Sequence, residues 1–403
     1  MEGRRGRLIA RLVSSIVVVA MLAVTLAPVA AGASASRHPA AARPRFTASA
    51  TAGAIDIVTT SARSEFPKQL AFTLQAKSTA QISSVRIAYR AGDDPVTTVA
   101  QVSLTPASRV DPTYTIDLGH EYYPPGVTIH YQWRVEDQSG AAAASNWADL
   151  KVTDPRFFWR DRTRGSVTLH WYDGDDQFAD SVLAAATTAL ANASATARTS
   201  VTGPVNVYFY ANEQDFRSAM GTNVDPWVGG QTFPLYRLIV LLAPGNDLAD
   251  AQRSVAHEMT HVAVDSTSED PFGALPTWLD EGMAVVAEGS LDPSFQQALD
   301  SAAQSHTLMS IQSISGNFPE STAGATLAYA ESASIVAYLD RSYGPTKLAA
   351  LIAAFRQGET TDQAFQQAIG MSPLAFQRSW EASLQSASGP ASTAPARSAS
   401  TQQ

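Results

Sequence analysis

The sequence predicts a multidomain chain: an all-β sandwich over 53–154, then an α+β domain over 155–385 that ends in a helical lobe from about 290. Three observations carry this. Apolar residues alternate with period two up to Asp154, strands then alternate with helices, and from Ser310 to Leu384 the apolar spacing is helical.

At 403 residues with 16% charged side chains, the chain has length for two or three domains and apolar content for real cores. It contains no cysteine, which excludes disulfides, thiolate metal sites and cysteine nucleophiles. The net charge of −9 has nothing of a basic nucleic-acid surface, so no nucleic-acid partner is expected.

Residues 1–35 read as a targeting segment. Arg4, Arg5, Arg7 and Arg11 precede an uncharged apolar stretch from Leu12 to about Ala31. Pro28 and the small residues Ala31-Gly32-Ala33 and Ala33-Ser34-Ala35 suit a signal peptidase. The stretch is also long enough to span a bilayer, so a cleaved signal peptide and an N-terminal membrane anchor are the two outcomes. Both place the rest of the chain outside the cytoplasm, secreted or held at the membrane. Residues 36–52, rich in Ala, Ser, Arg and Pro, read as a disordered linker.

In the β region, Gln69–Leu74, Val85–Tyr89, Val99–Leu104 and Val127–Val135 alternate, separated by Gly92-Asp93-Asp94-Pro95, Pro124-Pro125-Gly126 and Asp137-Gln138-Ser139-Gly140. About seven short strands are expected. Ile129, Tyr131, Trp133 and Val135 would share one face, with Trp133 in the core, and His120 and His130 read as ordinary loop or strand residues. The segment resembles an immunoglobulin- or fibronectin-like module, which assigns no function by itself.

After Pro155-Arg156-Phe157-Phe158-Trp159, strands are expected at Val167–Trp171, Val205–Tyr210 and Leu235–Leu242, with helices at Phe178–Ala197 and Glu213–Met220. Trp227–Phe233 contains Gly229-Gly230. It reads either as an edge strand on which an extended peptide pairs or as a loop with a turn. Asp247 or Asp250 caps the helix that follows.

That helix carries Ser254-Val255-Ala256-His257-Glu258-Met259-Thr260-His261-Val262. Residues four apart lie about 40° apart around a helix, so His257 and His261 project together and can hold one metal ion. Glu258, about 100° further round, can reach a water on that metal as general base. Val255, Met259 and Val262 make the opposite side apolar, so the helix is packed. Two imidazoles, one carboxylate base and an open position are what a zinc hydrolase needs.

A third ligand must come from elsewhere. Asp265, one turn past His261, would put three ligands in a line on one helix. Glu269 and Asp270 sit in a polar loop. Pro276–Val286 forms a further helix, started by Pro276 and ended by Gly289. In it Glu281 shares a stripe with Trp278, Gly282 and Val285, and Asp280 lies near Met283 and Ala284; Glu288 follows. Periodicity leaves Asp280 and Glu281 both open.

His-Glu-Met-Thr-His followed, after nineteen residues, by Glu281 within Trp278-Leu279-Asp280-Glu281-Gly282 resembles the gluzincin zinc metallopeptidases. The stretch Leu327–Ser334, with Tyr338-Leu339 and Tyr343-Gly344, is similar to the helical tail of the peptidase MA family. The resemblance covers about 156–385. It implies a zincin-type fold, peptide or protein substrates, one Zn2+ on His257, His261 and Glu281, and Glu258 as base. It also offers Tyr329 as oxyanion donor, although Leu327, Ile335 and Val336 equally allow a core tyrosine; His306 is a weaker candidate. Cobalt or manganese suit the same donors. Gluzincin aminopeptidases carry a Gly-x-Met-Glu-Asn strand whose Glu grips the substrate amine. The matching stretch here is Gly229-Gly230-Gln231-Thr232, which implies cleavage other than at a free N-terminus. Two further readings stand beside the exported peptidase: a catalytically silent envelope binding protein with a structural metal site, and an amidase of cell-wall peptides. Residues 386–403 read as a disordered tail.

Overall fold

The computed structural model describes residues 55–220, 228–245, 247–265 and 275–387. The expected targeting segment, the linker and all of the expected tail but its first two residues lie outside these. Among the described residues no helix is long and apolar enough to cross a membrane. The chain divides into two compact units, one of 55–121 with Thr128–Val152, the other of Tyr122–Val127 with residues from Thr153 onward.

The first unit is a sheet of eight strands: β1 Ile55–Glu65, β2 Gln69–Ala91, β3 Thr98–Val102, β4 Ala107–Val110, β5 Thr113–Asp117, β6 Thr128–Asp137, β7 Ala142–Ala144 and β8 Ala148–Lys151. Where the sequence suggests separate strands at 69–74 and 85–89, the backbone runs through as one strand. Lys77-Ser78-Thr79-Ala80-Gln81 holds no glycine or proline to break it, and only the register against β4 shifts there. The first half of β2 pairs with β1 and β5, the second with β3 and β6. All eight strands therefore share one hydrogen-bonded sheet, where a sandwich of about seven was expected. Phe72 on the first half meets Tyr131 of β6 edge-on at 5.0 Å although they are not ladder partners, so the two halves pack face to face. Ile129, Tyr131, Trp133 and Val135 are all buried, as the alternation requires. His120 lies 3.1 Å from Asp117 and His130 is 2.6 Å from Asp149, ordinary polar contacts of a turn and a strand.

In the second unit five strands are ordered β12-β13-β11-β10-β9. These are β9 Arg160–Arg164, β10 Val167–Trp171, β11 Val205–Tyr210, β12 Gly230–Phe233 and β13 Leu238–Leu242. Strands β10, β11 and β13 run parallel; β9 and β12 are antiparallel edges. Strand β9 escapes the sequence pattern because Arg160-Asp161-Arg162-Thr163-Arg164 has no apolar alternation; Arg162 pairs instead with Asp176 and Asp180 of the next helix, each at 2.7 Å. Strand β13 begins later than the expected Leu235, because Pro234–Tyr236 form a 3-10 turn closed by Arg237 at φ 48°.

Helix α1 (Asp176–Ala197) is capped by Asp175, which accepts from the Phe178 N–H. Its Ala179, Val182, Leu183, Ala186 and Leu190 bury with Leu169, Val207 and Ile239 of the strands. Helices α2 (Glu213–Met220) and α3 (Leu248–Asp265) follow; Val255, Met259 and Val262 of α3 enter the same core.

The remaining helices are α4 Thr277–Ala287, α5 Pro293–Ser305, α6 Thr322–Tyr343, α7 Pro345–Arg356, α8 Thr361–Ala368 and α9 Pro373–Ala387. Helix α6 is capped at its start by Ser321, whose hydroxyl accepts from the Gly324 N–H. Trp278, Ile335, Leu351, Phe365, Phe376 and Trp380 form the centre of this lobe, each essentially inaccessible. Burying side chains of that size contributes roughly 1.5–3 kcal/mol each. Arg356 of α7 donates to the carbonyls of Ala197 and Val264, the C-terminal ends of α1 and α3, and so ties the lobe to the helix that carries the two histidines.

Candidate metal centre

Asp247, not Asp250, caps α3: its carboxylate accepts from the Asp250 N–H and its carbonyl from Ala251. With Val255, Met259 and Val262 packed on one side, His257 and His261 emerge toward α4. The pairs His261–Asp280 and His257–Glu288 show that α4 runs antiparallel to α3.

His257, His261 and Glu281 are 7%, 0% and 2% exposed, and one ligand atom from each lies within 4.8 Å of the other two. Glu281 Oε2 is 3.4 Å from His257 Nε2 and 3.7 Å from His261 Nε2. Among the described residues none of these three buried atoms makes a hydrogen bond. Leaving three polar atoms buried and unbonded is costly, and a shared cation offsets that cost.

The other ring nitrogens are occupied. His257 Nδ1 donates to Glu288 Oε1 at 2.9 Å, and His261 Nδ1 to Asp280 Oδ1 at 3.0 Å. A carboxylate only accepts, so Nδ1 carries a proton and Nε2 is the nitrogen that would turn its lone pair to a bound cation. Glu288 Oε2 in turn accepts from Arg253 at 3.0 Å. Burial opposes charge on His257, but Glu281 and Glu288 outweigh it and raise its pKa to about 10. His261 is likewise raised against burial, by Asp280 and Glu281. Glu281 is lowered despite its burial, by the two imidazoles. Three carboxylates facing one arginine and two imidazoles make a pocket that favours positive charge, and a dication with two nitrogen donors and one oxygen donor fits it.

Glu258 is 2% exposed and lies under β12. Its Oε2 accepts from Thr232 Oγ1 at 2.6 Å. A Cβ on Gly230 would lie 3.0 Å from its Oε1 and 2.4 Å from the Leu241 side chain, so any larger residue would have to displace Leu241. Of the two readings of 227–233, the described part is an edge strand.

The structure thus brings together His257, His261 and Glu281, and Glu258 lines the same cavity as His257. Tyr329 is buried in the helical lobe, its ring between Phe295 and Phe318 at 6.2 and 4.9 Å. His306 is the exposed left-handed residue that ends α5. Asp265 ends α3, and Glu269 and Asp270 lie outside the described residues. Asp280 and Glu288, weighed as ligands, instead hold the imidazoles. One signal was available: Glu281 and Glu288 are seven apart, hence on one face of α4, opposite a pair of histidines one turn apart.

Residues 185–386 match the family model of the Peptidase MA superfamily, half of the chain. The chain belongs to the Peptidase MA superfamily. The match takes in both histidines, Glu281 and the helical lobe, so the candidate ligand triad lies within the part shared with the superfamily. Among solved structures, the M1 zinc metallopeptidase from Deinococcus radiodurans is similar at 14% identity, covering 81% of this chain and 94% of that one, with a TM-score of 0.34. The putative ApaA protein from Bordetella pertussis is similar at 18% identity over 26% of this chain and 98% of its own, with a TM-score of 0.18. No curated protein sequence matches the chain.

Proposed function

We propose that this Peptidase MA member is an exported zinc metallopeptidase of the gluzincin type that cleaves peptide bonds within a chain. The observation that carries the reading is the convergence of three unbonded, buried ligand atoms beside Glu258, beneath an edge strand.

His257, His261 and Glu281 would hold the ion, and Asp280 and Glu288 would keep the imidazoles turned toward it. Bound there, zinc supplies Lewis acidity, which acidifies water and polarises the scissile carbonyl. An extended substrate pairs with the open side of β12, which sets its carbonyl over the site. Glu258 takes a proton from the attacking water and delivers it to the leaving amine. Tyr329 is proposed to donate to the oxyanion, on resemblance alone. Thr232 stands where an amine-gripping carboxylate would stand in an aminopeptidase, which supports internal cleavage. A base beside its ligands also favours an enzyme over a structural metal site.

The test is zinc content together with hydrolysis of casein and a mixed peptide library, with and without chelator. The expected result is one zinc per chain and chelator-sensitive internal cleavage. Glu258→Gln should keep the zinc and lose turnover by at least about 100-fold. Near-normal hydrolysis by that variant would remove Glu258 as the base.

A further inference from the structure

Strand β12 presents Gly230 and Thr232 inward, with Gln231 and Phe233 alternating to the more open side. Thr232 is 7% exposed. Its hydroxyl has one proton to give. The carbonyl of Glu258 is 3.3 Å away and the carboxylate Oε2 2.6 Å away, so the proton goes to the carboxylate. On the same face, Gly230 lets the strand backbone settle against the other carboxylate oxygen. Valine would fill this β position as well as threonine, so packing does not account for the hydroxyl. The bond joins residues 26 apart in sequence and links the edge strand to the metal helix.

We propose that Thr232 is a positioning residue for the peptidase reaction: it ties the Glu258 carboxylate to the strand on which substrate pairs, so that base and substrate backbone keep one fixed separation. The proposal rests on the zinc-peptidase reading above. Its physical content is geometric. Glu258 has rotatable bonds between backbone and carboxylate, and a shift of about 1 Å in a reacting group can cost on the order of 100-fold in rate. With the tether gone, the base samples orientations that miss the water, while substrate still finds the strand.

The test compares Thr232→Val, which removes the hydroxyl at nearly constant shape, with Thr232→Ser, which keeps it. In the zinc-loaded protein, Thr232→Val should lower kcat about 10- to 100-fold with KM within about twofold and zinc content unchanged, and Thr232→Ser should restore most of the rate. In the metal-free protein, hydrogen exchange of the amides in 230–233 should quicken several-fold in Thr232→Val and not in Thr232→Ser. Wild-type kcat in Thr232→Val, a loss confined to KM, or a loss that Thr232→Ser shares would overturn the proposal. If Thr232→Val does not fold, Thr232→Ala takes its place, and equal kcat for Ala and Ser overturns it. A wild-type protein that binds no zinc and cleaves no peptide would sink the peptidase reading instead; exchange in the metal-free protein then still decides the tether, and equal exchange in wild type and Thr232→Val ends it.

Discussion

Glu288 accepts a hydrogen bond from His257 Nδ1 at 2.9 Å with one oxygen and from Arg253 at 3.0 Å with the other. Glu288 sits at the C-terminal end of α4, where the helix dipole disfavours an anion, and its two donors offset that. Removing it frees the His257 ring to rotate. Glu288→Ala should weaken zinc binding about 10- to 100-fold, read by competition with a chromogenic chelator, while Glu288→Gln, which can still accept, should lose less.

Metal removal should cost stability as well as activity. Without a cation the three candidate ligand atoms are buried without a hydrogen bond among the described residues. Zinc at a hundred times its dissociation constant would stabilise the fold by about 2.7 kcal/mol. Chelator should therefore lower the melting temperature of wild type and leave that of Glu281→Gln with His261→Ala nearly unmoved.

Gly282, beside the candidate ligand Glu281, faces the backbone of α6. A Cβ there would come within 2.5 Å of the Ser332 carbonyl oxygen and 2.8 Å of Val336. Backbone cannot step aside as a side-chain tip can. Gly282→Ala should force α4 and α6 apart and destabilise the protein by about 1–3 kcal/mol despite alanine's better helix propensity, measured by denaturant unfolding.

Glu331 on α6 is fully buried and receives the Met309 N–H on its two oxygens at 3.0 and 3.1 Å. Burial raises its pKa to about 8; the Met309 N–H works against that, and Glu381 adds to it. The folded state thus holds this proton more tightly than the unfolded chain does. Its contribution to stability falls as pH rises from the ordinary carboxylate range to about 8, with a slope of up to about 1.4 kcal/mol per pH unit. Glu331→Gln should remove that part. The difference in unfolding free energy between variant and wild type should grow in the variant's favour between pH 5 and 8, and a difference flat with pH would refute this account of Glu331.

Much of the centre was legible because helical periodicity is local. His257, Glu258 and His261 sit within five residues, and the apolar side of their helix can be read beside them. The third candidate ligand was legible as a pair, Asp280 and Glu281, whose choice the residue pattern left open and the resemblance made. The spacing of Glu281 and Glu288 marks a shared face, but it does not tell a ligand from an imidazole partner, since a carboxylate on a helix is the same residue whether it faces a metal or an imidazole. Strand β9 was hidden by its charge, and β2 looked like two strands because its middle residues are polar.

By itself, then, the sequence determined which side chains could share a face: the two imidazoles and Glu258 on α3, the acidic residues on α4, the small residues of β12. The tertiary structure decided which faces meet. The antiparallel crossing of α3 and α4 sets Glu281 before both Nε2 atoms and turns Asp280 and Glu288 to the Nδ1 atoms, and β12 lies at the sheet edge over Glu258. These contacts join residues nineteen to thirty-one apart. They arise from burying the apolar sides of separate elements in common cores, a condition that no local spacing encodes.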